Sequence, residues 1–214
     1  MTTLRKPILI STLCAIMGGV LLSAGASYAS FYTSQVRVVN SRFEADQLTN
    51  GDFTINSITG WTAVNNGGNG GVYNPNNTQF AGASSPTSIF TAAQGRNVVY
   101  TNGRTIEQTL TATFKPRAIY TLSVDVGKRL DEPFPSTGAV IQLLAGDTVI
   151  ASANPVTPIP TSGQFVRVRV RYTPSPDKFQ YIGQPLKIRL GSNDRNVFTG
   201  QVNYDNVRLD ISNQ

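Results

Sequence analysis

The sequence predicts an all-β sandwich. No segment shows the apolar period of an amphipathic helix, whereas short β-branched and aromatic runs recur between clusters of Gly, Pro, Asn and Ser. Two runs also alternate strictly. In Phe165–Tyr172, Val166, Val168, Val170 and Tyr172 share one face and Arg167, Arg169 and Arg171 the other. In Leu186–Leu190, Lys187 and Arg189 point away from Ile188 and the two leucines. Half-buried strands of an antiparallel sandwich carry this pattern.

Met1–Ala29 reads as a signal peptide. Arg5 and Lys6 form a positive n-region, Ile8–Ala26 is apolar and small, and Ser27-Tyr28-Ala29 suits a signal peptidase. An uncleaved membrane anchor is the alternative; the small-residue ending and the polar Ser30 favour cleavage and export to the periplasm or the medium. Residues 30–214 then form one domain. Strands are expected at Gln35–Asn40, Gly71–Asn74, Asn97–Thr101, Thr105–Thr111, Ile119–Val126, Ala139–Leu144, Thr148–Ala153, Phe165–Tyr172, Leu186–Leu190 and Val202–Leu209. Asn102-Gly103 and Gly146-Asp147 are expected hairpin turns. Asn65–Gly71 and Ala81–Gly95 are expected loops over one mouth of the sandwich. If Phe165–Tyr172 and Leu186–Leu190 are neighbours, five cations line the outside of one sheet. We read that face as solvated and protective against edge pairing, in preference to a surface for anionic glycan or phosphate.

Cleavage removes Cys14 and Met17, so the domain holds no Cys, Met or His. Thiol catalysis, disulfide stapling and histidine chemistry are excluded. Catalysis must rest on carboxylates, tyrosines, lysines or hydroxyls, and a metal must be a hard, oxygen-bound cation, calcium first. Loss of Arg5 and Lys6 lowers the formal charge from +6 to +4, without a like-charge block, and nothing points to nucleic acid.

The N-terminal half opens on a near repeat, Asn40-Ser-Arg-Phe43-Glu44 and Asn50-Gly-Asp-Phe53-Thr54, followed by Gly60-Trp61. The chain closes on Tyr204-Asp205-Asn206-Val207-Arg208-Leu209-Asp210. This pattern resembles the galactose-binding-like jelly rolls of carbohydrate-binding modules. The resemblance implies a calcium ion tying the terminal strands, with Glu44 and Asp210 as ligands and Asp52 as a further candidate. A sugar-binding role needs exposed rings, for which Trp61, Tyr73, Tyr100, Phe134 and Tyr181 are available. Trp61, beside Gly60 at a strand start, suits core packing better.

A second resemblance covers nearly all of residues 30–214. It runs through GWT (Gly60–Thr62), GVYNP (Gly71–Pro75), NVVYTNGRTIEQTL (Asn97–Leu110) and VDVGKRLDEPFP (ending at Pro135). It continues through QLLAGDTVIA, GQPLKIRL and VNYDNVRL. These phrases are similar to those of the hapalindole-type (Stig) cyclases of cyanobacteria. The resemblance implies a calcium-dependent jelly roll without organic cofactor, a homodimer or a heterodimer with a related cyclase. It also implies an isoprenoid-indole substrate, a geranylated indolenine isonitrile. That substrate is closed by Cope rearrangement, cyclisation onto a cation and attack by the indole, with one Asp as acid. A non-catalytic, calcium-stabilised carbohydrate-binding domain is the alternative.

The residues are suited to that chemistry. Period-two alternation is expected to place Asp205 on the core face with Val207 and Leu209, where apolar surroundings favour the neutral, proton-donating acid. Tyr100 ends an apolar strand, Phe134 sits stiffly in a Pro-flanked loop, and Tyr73 follows a Gly-rich stretch. Together they are expected to form an aromatic cup that stabilises a carbocation and folds a terpene chain. The family resemblance places Trp more often at the position of Tyr73.

Overall fold

Strand periodicity of two obliges each half-buried strand to show an apolar face, and two such faces must cover each other. The computed structural model describes residues 32–64, 67–81, 95–175, 177–192 and 200–213. The expected signal peptide and most of the Ala81–Gly95 loop lie outside the described residues. Phe31–Gln214 cluster as one unit.

Among the described residues the strands are β1 (Thr33–Val36), β2 (Thr62–Ala63), β3 (Asn69–Tyr73), β4 (Val98–Asn102), β5 (Thr105–Thr113) and β6 (Ala118–Lys128). They continue as β7 (Ala139–Ala145), β8 (Thr148–Ala153), β9 (Gln164–Tyr172), β10 (Pro185–Ser192) and β11 (Val202–Asn213). One antiparallel sheet runs β3-β4-β11-β6-β9, with β1 also on β11; the other runs β2-β5-β10-β7-β8. The fold is the expected all-β jelly-roll sandwich. Only the short β2 was not anticipated, since Thr-Ala is too brief to carry a period.

Tyr120, Leu122, Val124 and Val126 of β6 meet Ile141 and Leu143 of β7 and Leu186, Ile188 and Leu190 of β10 in the core. Tyr204 crosses between the sheets. Its hydroxyl accepts from the Val140 N–H at 3.3 Å and is shared between the carbonyls of Val140 and Gly191, on β7 and β10. Trp61 packs against Phe43 with ring centroids 5.7 Å apart, so the one tryptophan is core. Gly146-Asp147 makes the expected two-residue hairpin, with Ala145 opposite Thr148.

Three expectations are corrected. Asn102-Gly103 is not a hairpin turn, because β4 lies in one sheet and β5 in the other. Gly103, at φ 70°, turns the chain across the sandwich; the dipeptide's positive-φ preference serves a corner as well as a hairpin. Second, β9 and β10 belong to opposite sheets, so the five cations do not share a face. On the second sheet Arg189 pairs with Glu107 at 2.8 Å and Lys187 with Asp147 at 2.7 Å.

The third correction concerns Asp205. It does not share the core face with Val207 and Leu209. A bulge interrupts β11, whose partners pass from Asp205↔Asp125 to Arg208↔Ser123. Asn206 occupies it at φ 51°, a left-handed geometry that Asn tolerates. The extra residue shifts the phase, so Tyr204, Val207 and Leu209 all reach the core while Asp205 stays on the outer face.

Candidate active site

Directly opposed residues of antiparallel strands project to one face, so register alone lays out the outer surface of the β3-β4-β11-β6-β9 sheet. One row is Gly71, Tyr100, Asn203, Gly127 and Phe165. One pleat along, Tyr73 pairs with Val98, and Asp205, Asp125 and Arg167 pair in turn. A second apolar cluster of Tyr73, Phe80, Val98, Tyr100 and Phe165 covers these rows. The Phe165 ring lies across Gly127, where a Cβ would stand only 2.5 Å from it. Phe80 then stacks on Phe165 at 4.8 Å.

Beside the cluster opens a cleft of about 360 Å³. Tyr73 and Tyr100 meet edge to face at its wall, centroids 5.9 Å apart. Phe53 and Ile55 supply an exposed apolar rim, and Asn69, Asn102, Gln79, Gln201, Arg129 and Glu132 supply polar atoms. Arg129 is fixed rigidly. Its Nε and Nη2 grip the Asp131 carboxylate at 2.8 and 2.6 Å, Nη1 donates to Gln201 at 3.1 Å, and the guanidinium lies 5.7 Å from the Tyr73 ring centre. Gln201 in turn donates to Asn203 at 2.7 Å. The hydrogen bond from Arg129 holds the Asp131 carboxyl below its ordinary range.

Tyr100 donates its phenol proton to the Thr54 carbonyl at 2.9 Å. Burial raises its pKa, with Arg104 opposing. Tyr73 is more deeply buried, and burial pushes its phenol well above the ordinary value despite Arg129. Both rings therefore face the cleft as neutral phenols, whose π faces attract positive charge. Asp205 is fully buried on the same face of the sheet, beside Asp125 and one pleat from Asn203. Its Oδ1 accepts the Asn206 N–H at 2.7 Å. Asp125, equally buried, takes two hydrogen bonds from Arg167, at 2.7 and 2.8 Å, and one from Asn206.

Phe134 is not brought to the two tyrosines. It is half-buried and packs against the main core, because an apolar ring in a short loop gains more from the sandwich interior than from water. The same loop gives the cleft Glu132 instead. Sequence reasoning missed Arg129, Glu132 and Gln201; the charged KRLDE run was the available signal. It also missed the rim, where Phe53 is 58% exposed although its counterpart in the near repeat, Phe43, is fully buried.

The three expected calcium ligands do not converge. Among the described residues no group of three Asp, Glu, His or Cys side chains is placed to hold a metal. Asp210 accepts from Arg208 at 2.7 Å and lines a groove with three other arginines, a poor setting for a cation. Asp52 accepts the Thr49 hydroxyl at the surface. Glu44 is different. Its Oε1 accepts the N–H groups of Arg96 and Asn97, both at 2.8 Å, and it lines a pocket of about 440 Å³ with Asp46 and Asn97. The Asn97 amide donates to the Phe43 and Asp46 carbonyls, which leaves its Oδ1 buried without a partner. A buried oxygen lacking a donor is costly, and a hard cation satisfies it. Glu44 and Asn97 line one pocket with Asp46, whose carboxylate accepts from the Thr59 N–H and hydroxyl, and oxygens of these types suit such an ion.

Residues 34–210 match the sequence profile of a family described as HpiC1-like, HpiC1 cyclase. Among solved structures, the Stig cyclase Fisc from Fischerella sp. TAU, in complex with (3Z)-3-(1-methyl-2-pyrrolidinylidene)-3H-indole, is 29% identical at a TM-score of 0.70. The match covers 85% of this chain and 99% of that one. A cyclase from the same organism in complex with 4-(1H-indol-3-yl)butan-2-one is 31% identical at a TM-score of 0.67, covering 84% and 98%. An apo cyclase from Fischerella sp. is likewise 31% identical at 0.67, covering 84% and 96%. No curated protein sequence matches.

Proposed function

Because this chain belongs to the HpiC1-like cyclase family, we propose that it converts a geranylated indolenine isonitrile to a polycyclic hapalindole-type alkaloid without an organic cofactor. The observation that supports this most is the pairing of Tyr73 and Tyr100 at a cleft on the sheet face that also carries Asp205. The reaction is an isomerisation, so it needs shape and a proton, with no external reductant or oxidant. Asp205 lends the proton that starts the Cope rearrangement and ring closure. The phenol rings stabilise the cation, Phe53 and Ile55 shield the terpene chain, and the proton returns when the indole attacks and regains aromaticity. The indole ligands of the Fischerella relatives suit the same substrate class. Export and a homodimeric or mixed-cyclase assembly belong to the same reading.

The purified protein is expected to cyclise that substrate in the absence of NAD(P)H, flavin and ATP. Tyr100→Phe removes the bond to Thr54 and is expected to shift product ratios more than turnover. Substrate recovered unchanged, together with strong retention on neutral glycans, would instead favour a non-catalytic carbohydrate-binding domain.

Calcium belongs to the proposal as a stabilising ion held by Glu44, Asp46 and Asn97, where it supplies charge to clamp the N-terminal loop onto the start of β4. EDTA is expected to lower the melting temperature by several degrees, since an ion bound only by the folded state stabilises it by mass action. Glu44→Gln is expected to remove most of that response, and Asp210→Asn to leave it intact. A melting curve indifferent to both EDTA and added Ca²⁺ removes the ion from the account.

A further inference from the structure

The outer face of the first sheet does not end at the aromatic cleft. Past the bulge at Asn206 it becomes a groove of about 410 Å³ whose lining includes Arg42, Arg167, Arg169 and Arg208. Register explains the gathering. Arg208, Ser123 and Arg169 form one cross-strand row, and Asp210, Thr121 and Arg171 the next. Neighbouring strands lie about 4.8 Å apart, so the two arginines flank Ser123 within about 10 Å. Arg42 joins them from the loop whose Ser41 carbonyl accepts the Val207 N–H.

The charge there is only partly balanced. Arg167 is tied to Asp125 and Arg208 to Asp210, yet both stay open to solvent, at 41% and 52%. Arg42, Arg169 and Arg171 have no acidic partner among the described residues. Asp210 holds the Arg208 guanidinium above its ordinary value, with Arg167 opposing it by like-charge repulsion. An anion would relieve that repulsion, and arginine forks suit carboxylate and sulfate oxygens.

We propose that this groove binds an acidic polysaccharide, with a carboxylate or sulfate seated at Ser123 between Arg169 and Arg208 and with Thr121 and Asn206 meeting sugar hydroxyls. Among the described residues, the groove lining contains no aromatic ring on which a nucleic-acid base would stack, and no apolar side chain to enter a lipid surface. The groove shares no lining residue with the aromatic cleft among the described residues, and its test does not depend on turnover.

The test compares wild type, Arg42→Gln/Arg169→Gln and the charge-matched Lys115→Gln/Lys178→Gln. Binding is measured to polygalacturonate, sulfated dextran, neutral dextran, a thymidine oligonucleotide and phosphatidylglycerol vesicles. Arg42 and Arg169 have no ion pair to break among the described residues, so the double variant is expected to keep the wild-type melting temperature. It is expected to bind the acidic polysaccharides at least tenfold more weakly, and wild-type affinity should fall with salt as charges are screened. Tighter binding to the oligonucleotide or the vesicles would overturn the proposal. So would equal losses in both double variants, or retention of neutral dextran as strong as that of the acidic polymers.

Discussion

Asp205→Ala is expected to fold and to lose cyclisation rate by about two to four orders of magnitude, the range of general acid catalysis. Asp205 is fully buried on the face that carries Tyr73 and Tyr100, whereas its neighbour Asp125 is already committed to Arg167 and Asn206. Its place on the face that carries the two tyrosines makes Asp205 the acid of the proposed reaction. Asp205→Asn keeps the shape but supplies no acidic proton, and is expected to be nearly as slow. Single-turnover rates with circular dichroism separate the outcomes. Rates within a few-fold of wild type would refute the acid role, and loss of folding in both variants would mark Asp205 as structural.

The second large effect is on stability at high pH. Burial holds the Tyr204 phenol far above its ordinary value of 10.0, although bonds to Val140 and Gly191 pull the other way. Burial likewise raises Tyr73 well above it. In the unfolded chain both phenols ionise near the ordinary value, so above it the unfolded state binds fewer protons than the folded state. Their contribution is fully present below about pH 10 and declines as pH rises, at about 1.4 kcal/mol per unit for each tyrosine held neutral. Urea midpoints are therefore expected to fall steeply from about pH 10 upward. Tyr204→Phe strands the Val140 and Gly191 groups and is expected to cost about 1–3 kcal/mol at neutral pH, with a shallower decline above pH 10. An identical alkaline slope in wild type and variant would contradict this account.

How much was legible beforehand follows from the range of each signal. Alternation is local, so Phe165–Tyr172 and Leu186–Leu190 were readable as strands with known inner faces. Which sheet each joined was not, because pairing is decided by partners far along the chain. The bulge at Asn206 shows the limit most clearly. Strict alternation cannot keep Tyr204, Val207 and Leu209 all inward, and one inserted residue resolves this while leaving Asp205 outward. Phe43 and Phe53 share a motif, yet only Phe43 has a core to enter. Glu44 and Asp210 sit near the two ends of the chain, and the charged neighbours that distinguish them come from other strands.

The sequence by itself determined the all-β sandwich, the exclusion of thiol and histidine chemistry in residues 30–214, the family, and Tyr73 and Tyr100 as paired candidates. Those follow from residue type, local period and motif, which do not depend on long-range pairing. The tertiary structure alone decided that Asp205 faces outward beside Asp125, that Phe134 turns to the core, and that Glu44 has Asn97 for company while Asp210 has Arg208. It also decided that the β9 arginines join Arg42 and Arg208 instead of the cations of β10. Each of these depends on which strands become neighbours, and burial and charge act only between groups the fold has already brought together.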